Sequence, residues 1–388
     1  MRYHSYLNSA KNIIETYKGD VPLAVFLKKY FSSNKKYGSK DRKQISALCY
    51  NFYRLGKAIP QLPVEEKIIV AVFLCENKNN EFLHFHKPEW NEIITKPLVE
   101  KIEIAGFTTE DVFPWAEELS AGIDAELFRH SFFKQPDLFL RIRPGKKDSV
   151  IKKLQDAGIE FELKTDDCLA LPNSTKIDGI LEIDKEVVIQ DYNSQKVLNF
   201  LKDPQAAILQ PASVWDCCAA SGGKSILAYD ILKEAIELTV SDIRESILSN
   251  LKQRFETAGI KNYKSFVGDL AVESEFRIPN SQFQIVICDA PCTGSGTWSR
   301  TPEQLYYLKR KAIDVYTAMQ QQIVSNVIPA LQTNGIFIYI TCSVFKNENE
   351  DMVNFIKEKF HLQQLQVELL KGYDKKADSM FTAVFKKP

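Results

Sequence analysis

Apolar and polar positions follow different periods along this chain, and the changes of period divide it into three. From residue 1 to about 130, apolar side chains recur every three to four positions, the spacing of a helix with one buried face. The pattern is clearest at Ile45, Leu48, Cys49, Phe52, Tyr53 and Leu55, behind a capping start at Ser39-Lys40-Asp41. Residues 65–75 and 110–120 carry the same period, whereas 77–90, rich in Asn, Lys and His, is expected to be a loop or connector. Near residue 138 the period shortens. Leu138-Phe139-Leu140-Arg141-Ile142-Arg143 predicts a strand closed by Pro144-Gly145, followed by a helix at 148–157 and short strands around 161–163, 168–171 and 187–190. This predicts a small α+β module.

From about residue 206, strand and helix patterns alternate. Strands are expected at 213–216, 238–241, 264–267, 284–288 and 336–341, with helices at 224–235 and 244–258 and a long amphipathic stretch at 301–331. Alternation of this kind means a mainly parallel, doubly wound sheet with helices on both faces, a Rossmann-like α/β domain. The expected organisation is a helical domain at 1–130, a small α+β subdomain at 131–205 and the α/β domain at 206–388.

Charge adds one asymmetry. The chain has 388 residues with a formal net charge of zero, 45% hydrophobic and 26% charged. Residues 1–60 nevertheless hold twelve Lys and Arg against Glu15, Asp20 and Asp41, a net of +9, leaving −9 for the remainder. A basic arm on an acidic body suits a polyanion such as RNA, and a solvated helical face is the bland alternative. The eight cysteines form no CxxC pair and the five His are scattered, so no metal site is expected. The start of the chain has no apolar signal core, and no apolar run is long enough to span a membrane. A cytoplasmic monomer with free thiols is the expectation.

Candidate chemistry gathers where the strands of the α/β domain end. After the first comes Asp216-Cys217-Cys218-Ala219-Ala220-Ser221-Gly222-Gly223-Lys224-Ser225. Paired glycines allow close backbone approach and feed a helix N-terminus, which favours an anionic group. The run is neither a dinucleotide nor a triphosphate fingerprint. The second strand ends at Asp242, where an acid can accept both hydroxyls of a ribose, and the third leads to Asp269, placed to meet an adenine amino group. The fourth ends at Asp289. One strand-end acid is more often a helix cap; four on successive strands favour an adenosine-type cofactor.

Two cysteines stand out. Cys292 follows the fourth strand in Asp289-Ala290-Pro291-Cys292-Thr293-Gly294-Ser295-Gly296, and Cys342 follows the fifth in Thr341-Cys342-Ser343. Buried cysteine is usually a small hydrophobe, the reading preferred for Cys49, Cys75, Cys168, Cys217 and Cys288. Two thiols at neighbouring strand ends, one flanked by Pro and Gly, are harder to assign to packing alone.

With DCCAASGGKS at 216–225, SD at 241–242, GD at 268–269, DAPCTGSGTWSRTPE at 289–303 and TCS at 341–343, the sequence resembles the RsmB/Fmu/Sun family of RNA cytosine-5 methyltransferases. Leu140-Arg141-Ile142-Arg143 and residues 190–195 also resemble the family, and the basic helix at 38–54 resembles its NusB-like helical domain. The resemblance implies a class I methyltransferase fold with S-adenosylmethionine as cofactor. Cys342 would attack carbon-6 of a cytosine, Cys292 would assist product release, and Asp289 would hold ring nitrogen 3 and the exocyclic amine. Cys218, Ala219, Ala220, Ser221, Gly222, Gly223 and Lys224 would wrap the methionine part of the cofactor, with Asp242 on the ribose and Asp269 on the adenine. Lys224 is also placed to bridge to Asp289, itself part of the cofactor pocket. Ser221 stands where the family usually has Pro, which removes a rigid φ and adds a donor.

The target base must be unstacked, so recognition combines phosphate contacts with shape. Arg141, Arg143, Lys146 and Lys147, the basic helical arm at Lys35, Lys36, Lys40, Arg42 and Lys43, and Trp298 with Arg300 beside the base's entry path are the RNA candidates. The NusB-like likeness points to 16S-type ribosomal RNA or an assembly intermediate as partner. A transfer RNA cytosine-5 methyltransferase and a non-catalytic RNA-binding assembly factor are the alternatives, the second disfavoured by the presence of both cysteines. An exocyclic-amine methyltransferase commonly has a second Pro and an aromatic where this chain has Ala290-Pro291-Cys292.

Overall fold

The computed structural model describes residues 2–206, 208, 210–272 and 282–388. They form two compact units, Met1–Gln135 with Thr297–Lys309, and Pro136–Gly296 with Arg310–Pro388. Among the described residues no helix is long and apolar enough to cross a membrane.

The first unit is helical. Its central helix, Ser39–Arg54, buries the stripe Ile45, Leu48, Cys49, Phe52 and Tyr53, and its start is capped by Asp41, which accepts the Gly38 N–H at 3.0 Å. Lys35, Lys36, Lys40, Arg42 and Lys43 are exposed. Arg54 is a structural cation, buried and donating to the Phe132 carbonyl and to Gln135 Oε1. Two expectations fail here. Residues 77–90 contain the helices Glu81–His86 and Pro88–Glu92. Asn80, one of the residues that suggested a loop, caps the first of these helices: it accepts Leu83 N–H at 3.1 Å, and its own N–H donates to Asn91 Oδ1 at 2.9 Å. Residues 110–120 form only the 3₁₀ turns Thr109–Asp111 and Ala116–Glu118, with Pro114 between them lacking the N–H a longer helix needs.

The segment Thr297–Lys309 is a further correction, because it joins the helical unit and splits the stretch expected as one amphipathic element. Its helix Pro302–Tyr307 is bound there by Glu303, which accepts Leu23 N–H at 3.1 Å, and by Tyr307, whose hydroxyl donates to Tyr17 O at 2.8 Å. The second part, Lys311–Val327, packs in the other unit.

The second unit holds two sheets. The smaller has strands β1 (Leu138–Ile142), β2 (Glu162–Thr165), β3 (Cys168–Leu171) and β4 (Val187–Ile189) in the order β2-β3-β1-β4, all antiparallel. Helix Lys147–Asp156 covers it with Val150 and Leu154, which join Leu140, Ile142 and Leu169 in one apolar cluster.

The larger sheet comprises β5 (Ala212–Asp216), β6 (Ile236–Asp242), β7 (Tyr263–Val267), β8 (Phe283–Asp289), β9 (Leu331–Thr341), β10 (Gln363–Leu370) and β11 (Met380–Lys386), ordered β10-β11-β9-β8-β5-β6-β7. The five strands β5 to β9 run parallel, and β11 is antiparallel to β9. Helices cover both faces, so β8 and β11 are almost continuously buried. This is the Rossmann-like α/β fold expected from the alternation. The order reverses at β5, and the carboxyl ends of β5, β6, β8 and β9 therefore converge on the crevice where such sheets hold ligands.

Candidate active site

Each strand end delivers its acid as the pattern required. Asp216 closes β5, Asp242 closes β6 and Asp289 closes β8, while Asp269 sits two residues beyond β7. Their contacts differ. Asp242 Oδ2 accepts Ala220 N–H at 3.1 Å, and Oδ1 accepts the Arg244 backbone N–H at 2.9 Å and Nε at 3.0 Å. The Arg244 side chain is 58% exposed, so a ribose would compete with a solvated cation. Asp269 Oδ1 accepts Ala271 N–H at 2.9 Å, a local turn contact.

The loop between β5 and the helix Gly223–Ile231 is a tight turn. Ala219 N–H donates to Ser241 O at 2.9 Å, and Gly222 N–H to Ala219 O at 2.8 Å. Ala220 has φ 46° and Gly222 φ 84°. A Cβ at Gly222 would also lie 2.7 Å from Phe255, so glycine is required twice over. Ser221, which replaces the family proline, is held another way: Arg254 donates to its carbonyl at 2.9 Å and its hydroxyl at 3.0 Å. Arg254 is itself paired with Asp184 at 2.7 Å.

Asp216 received no individual role from the sequence, because a buried strand-end acid looks the same there as a capping one. It is fully buried; Ser225 Oγ donates to Oδ2 at 2.6 Å, and Oδ1 has no hydrogen-bond partner. Burial pushes its carboxyl up to about 7, against the pull of Ser225.

The thiols meet. Cys292 Sγ and Cys342 Sγ are 3.4 Å apart. Beside them Lys224 Nζ lies 2.5 Å from Asp289 Oδ2, with side-chain exposures of 14% and 25%. Burial alone would lower the Lys224 ammonium, but the charge and hydrogen bond of Asp289, with Cys342 nearby, carry it above the ordinary lysine value. The contact with the Cys342 thiol and burial both push Cys292 well above the usual range, so it is held as the neutral thiol.

The two cysteine loops are laced together. Gly296 N–H donates to Cys342 O at 2.8 Å, and a Cβ on Gly296 would stand 2.1 Å from Ser379 O. Val344 N–H donates to Ser295 Oγ at 2.9 Å. Glu348, wholly buried, accepts Thr293 N–H at 2.9 Å, Thr293 Oγ1 at 2.6 Å, Gln320 Nε2 at 3.1 Å and the Ser343 hydroxyl. Sequence reasoning passed over Glu348, although the run Asn347-Glu348-Asn349-Glu350 so soon after Cys342 is an available signal.

Several RNA candidates are corrected. Arg141 and Arg143 face inward: both pair with Asp230, at 2.6 and 2.8 Å, with side-chain exposures of 3% and 10%. Arg143 also donates to Ala258 O at 2.7 Å. Arg141, on β1, and Arg143, just past its end, bind the small sheet to the helix Gly223–Ile231 through Asp230. Trp298 is fully buried, against Phe113 and Trp115, and does not line an entry path. Arg300 is half-buried in the same segment, whereas Lys146 and Lys147 are exposed. Cys49, Cys168, Cys217 and Cys288 are buried. The sulfurs of Cys217, Cys218 and Cys288 also lie within 4.8 Å of one another, a soft-ligand cluster that sequence spacing could not show.

Residues 206–384 match a family model described as 16S rRNA methyltransferase RsmB/F. A relative from Bacillus subtilis, named probable ribosomal RNA small subunit methyltransferase B, is 28% identical over 228 residues, covering 58% of this chain and 50% of that protein. The chain spans between 50% and 59% of the length of the first curated relatives it matches. Among solved structures, PH0851 has the same fold, with TM-score 0.72 and 18% identity over 100% of this chain and 98% of its own. NSun6 from Pyrococcus horikoshii with SFG matches at TM-score 0.59 and 14% identity, over 72% of this chain and 96% of that one.

Proposed function

We propose that this chain methylates carbon-5 of a cytosine in RNA, using S-adenosylmethionine, because residues 206–384 match the 16S rRNA methyltransferase RsmB/F model. The observation that carries this reading is the 3.4 Å approach of Cys292 and Cys342 beside the Lys224–Asp289 pair. An exocyclic-amine methyltransferase needs no thiol, whereas here two half-buried thiols, 50 residues apart in the chain, meet beside that pair.

The cofactor fits the residues present. Asp216 Oδ1, buried and without a partner, suits an ammonium, since a buried polar atom is rarely left unpaired. The N-terminus of the helix Gly223–Ile231 suits a carboxylate. Asp242 would hold the ribose and Asp269 the adenine, with the loop from Cys218 to Lys224 around the methionine part. When bound, the cofactor supplies an electrophilic methyl group on a sulfonium. That SFG, an analogue of S-adenosylmethionine, accompanies NSun6 supports the assignment.

Carbon-5 of cytosine is a weak nucleophile, and the chain's own groups would activate it. The Cys342 thiolate adds to carbon-6, forming a C–S bond and leaving carbon-5 enamine-like. Asp289, steadied by Lys224, accepts from the exocyclic amine, and from ring nitrogen 3 once that nitrogen is protonated in the adduct, stabilising charge on the ring and selecting cytosine over uracil. After carbon-5 is methylated, a water molecule acting as base takes its proton, the C–H pair restores the C5–C6 double bond, and the C–S bond breaks with its electron pair returning to Cys342. Cys292, in contact with that sulfur, assists the departure.

We assign small-subunit ribosomal RNA as the substrate, following the names of the relatives, with a cytoplasmic monomer as the acting form. The exposed Lys35, Lys36, Lys40, Arg42 and Lys43 supply phosphate contacts. Bisulfite mapping of ribosomal and transfer RNA from cells with and without the protein tests the proposal. One small-subunit cytosine should lose its protection when the protein is absent; unchanged maps for both RNAs would refute it.

A further inference from the structure

Glu348 lies outside the cofactor and base positions, yet it is a wholly buried carboxylate with donors on both oxygens. Oε1 takes Thr293 N–H at 2.9 Å and Gln320 Nε2 at 3.1 Å, and Oε2 takes the hydroxyls of Thr293 and Ser343. A carboxylate offers about four acceptor sites and no donor, so four converging donors match its ionised form. Burial raises the Glu348 carboxyl and these donors draw it back down.

The donors come from three separate elements. Thr293 follows Cys292 directly, in the loop after β8. Ser343 follows Cys342 directly, in the loop after β9. Gln320 is on the helix Lys311–Val327 and also donates to Pro291 O at 2.9 Å, on the other side of Cys292. The base of Glu348 is anchored as well. Its carbonyl accepts from Tyr339 OH at 2.8 Å, and neighbouring Asn349 accepts from Thr341 Oγ1 at 2.6 Å and donates to Ser343 O at 2.9 Å. Each cysteine is thus flanked by residues held from one carboxylate.

We propose that Glu348 is a positioning residue that sets the separation of the two thiols by tying the Cys292 loop to the Cys342 loop. It touches neither sulfur. Without it, four buried donors lose their acceptor, and the two loops keep the Gly296–Cys342 and Val344–Ser295 bonds and the contacts of the Ser343 hydroxyl with Thr293 and Ser295. A displacement of about 1 Å between reacting groups costs about 100-fold in rate. The kinetic arm of the test rests on the methyltransferase reading; the thiol-geometry arm does not.

The substitutions are Glu348→Ala, which removes the tie, and Glu348→Gln, which keeps its shape. In the glutamine variant the Thr293 and Ser343 hydroxyls can turn to accept from the amide while its oxygen keeps the other two donors. Thiol proximity is read by brief diamide oxidation of the full chain, which takes two thiols to a disulfide as the diamide is reduced to a hydrazine, followed by peptide mapping of the Cys292–Cys342 link. Methyl transfer is measured in parallel as kcat and as KM for S-adenosylmethionine. Glu348→Ala should slow formation of this disulfide by about tenfold or more and lower kcat by about 100-fold with KM little changed. Glu348→Gln should recover most of both. Linkage in Glu348→Ala as fast as in the unaltered protein would overturn the proposal, and so would a glutamine variant as impaired as the alanine one in a folded protein. If the unaltered protein methylates no RNA yet Glu348→Ala still slows the linkage, the positioning role stands and the activity assignment alone fails.

Discussion

Lys224 Nζ and Asp289 Oδ2 are 2.5 Å apart, joining the helix after the cofactor loop to the end of β8. The pair links the two halves of the proposed site, because Lys224 follows the glycine turn at 222–223 and Asp289 leads to Cys292. An isolated buried ammonium would lose its proton readily, and Asp289 is the largest influence holding it charged.

Replacing Asp289 by Asn should therefore do two things. It exchanges one of the two acceptor oxygens proposed to face the base for a donor, and it leaves Lys224 without its counter-charge. Turnover should fall by about 100- to 1,000-fold, the scale for losing one preorganised polar contact to the reacting group. Cofactor affinity, measured by calorimetry with S-adenosylhomocysteine, should change much less. A variant that keeps full turnover contradicts the role.

Asp216 gives the site a pH dependence. Its carboxyl is carried from 3.8 to about 7, mainly by burial. The folded value exceeds the unfolded one, so the folded protein holds the proton more tightly. Stability without ligand should thus fall as pH rises from 3.8 to about 7. An ammonium favours the carboxylate, so S-adenosylhomocysteine should bind more tightly as pH rises through about 7, with proton release below that value. Asp216→Asn should flatten this slope. If the parent protein shows no slope, the amino group is held elsewhere.

Gly222→Ala should damage the cofactor loop. The left-handed backbone costs a residue with a Cβ about 1–2 kcal/mol, and the added atom must also displace Phe255. Affinity for S-adenosylhomocysteine should drop about tenfold or more, equivalent to about 1.4 kcal/mol. Equal affinity in the variant would show that the turn is not part of the pocket.

Asp230 neutralises Arg141 and Arg143 in the interior of its unit. Asp230→Ala leaves two buried guanidiniums unpaired and should destabilise the protein by about 3–5 kcal/mol in denaturant melts. By contrast, Lys40→Ala and Lys43→Ala should leave stability alone and reduce the salt dependence of RNA binding by about one ion each. If Asp230→Ala melts like the parent, the arginines are not structural.

How far the sequence reveals this molecule depends on which interactions are local. The parallel strands were legible because β5, β8 and β9 are largely buried apolar runs and an Asp closes β5, β6 and β8. Strands β10 and β11 were not, as β10 is a partly exposed edge whose pairing with β11 spans a long loop. Cys292 and Cys342 could be nominated because each follows shortly after a strand of the sheet. Glu348 could not, since its partners Thr293, Gln320 and Ser343 converge only after folding. Arg141 and Arg143 misled for the same reason: Asp230, which claims them, is 87 residues or more along the chain. Cationic residues advertise phosphate binding until an acid from elsewhere is seen to hold them.

The covalent route is tested most directly by trapping its intermediate. The Cys292→Ala variant, incubated with small-subunit ribosomal RNA and S-adenosylmethionine, should accumulate a protein–RNA species that survives denaturing electrophoresis. The species should be absent when Cys342 is also replaced by Ala. A Cys342→Ala protein that still methylates cytosine, or a Cys292→Ala protein that never yields the retarded band, would contradict the account.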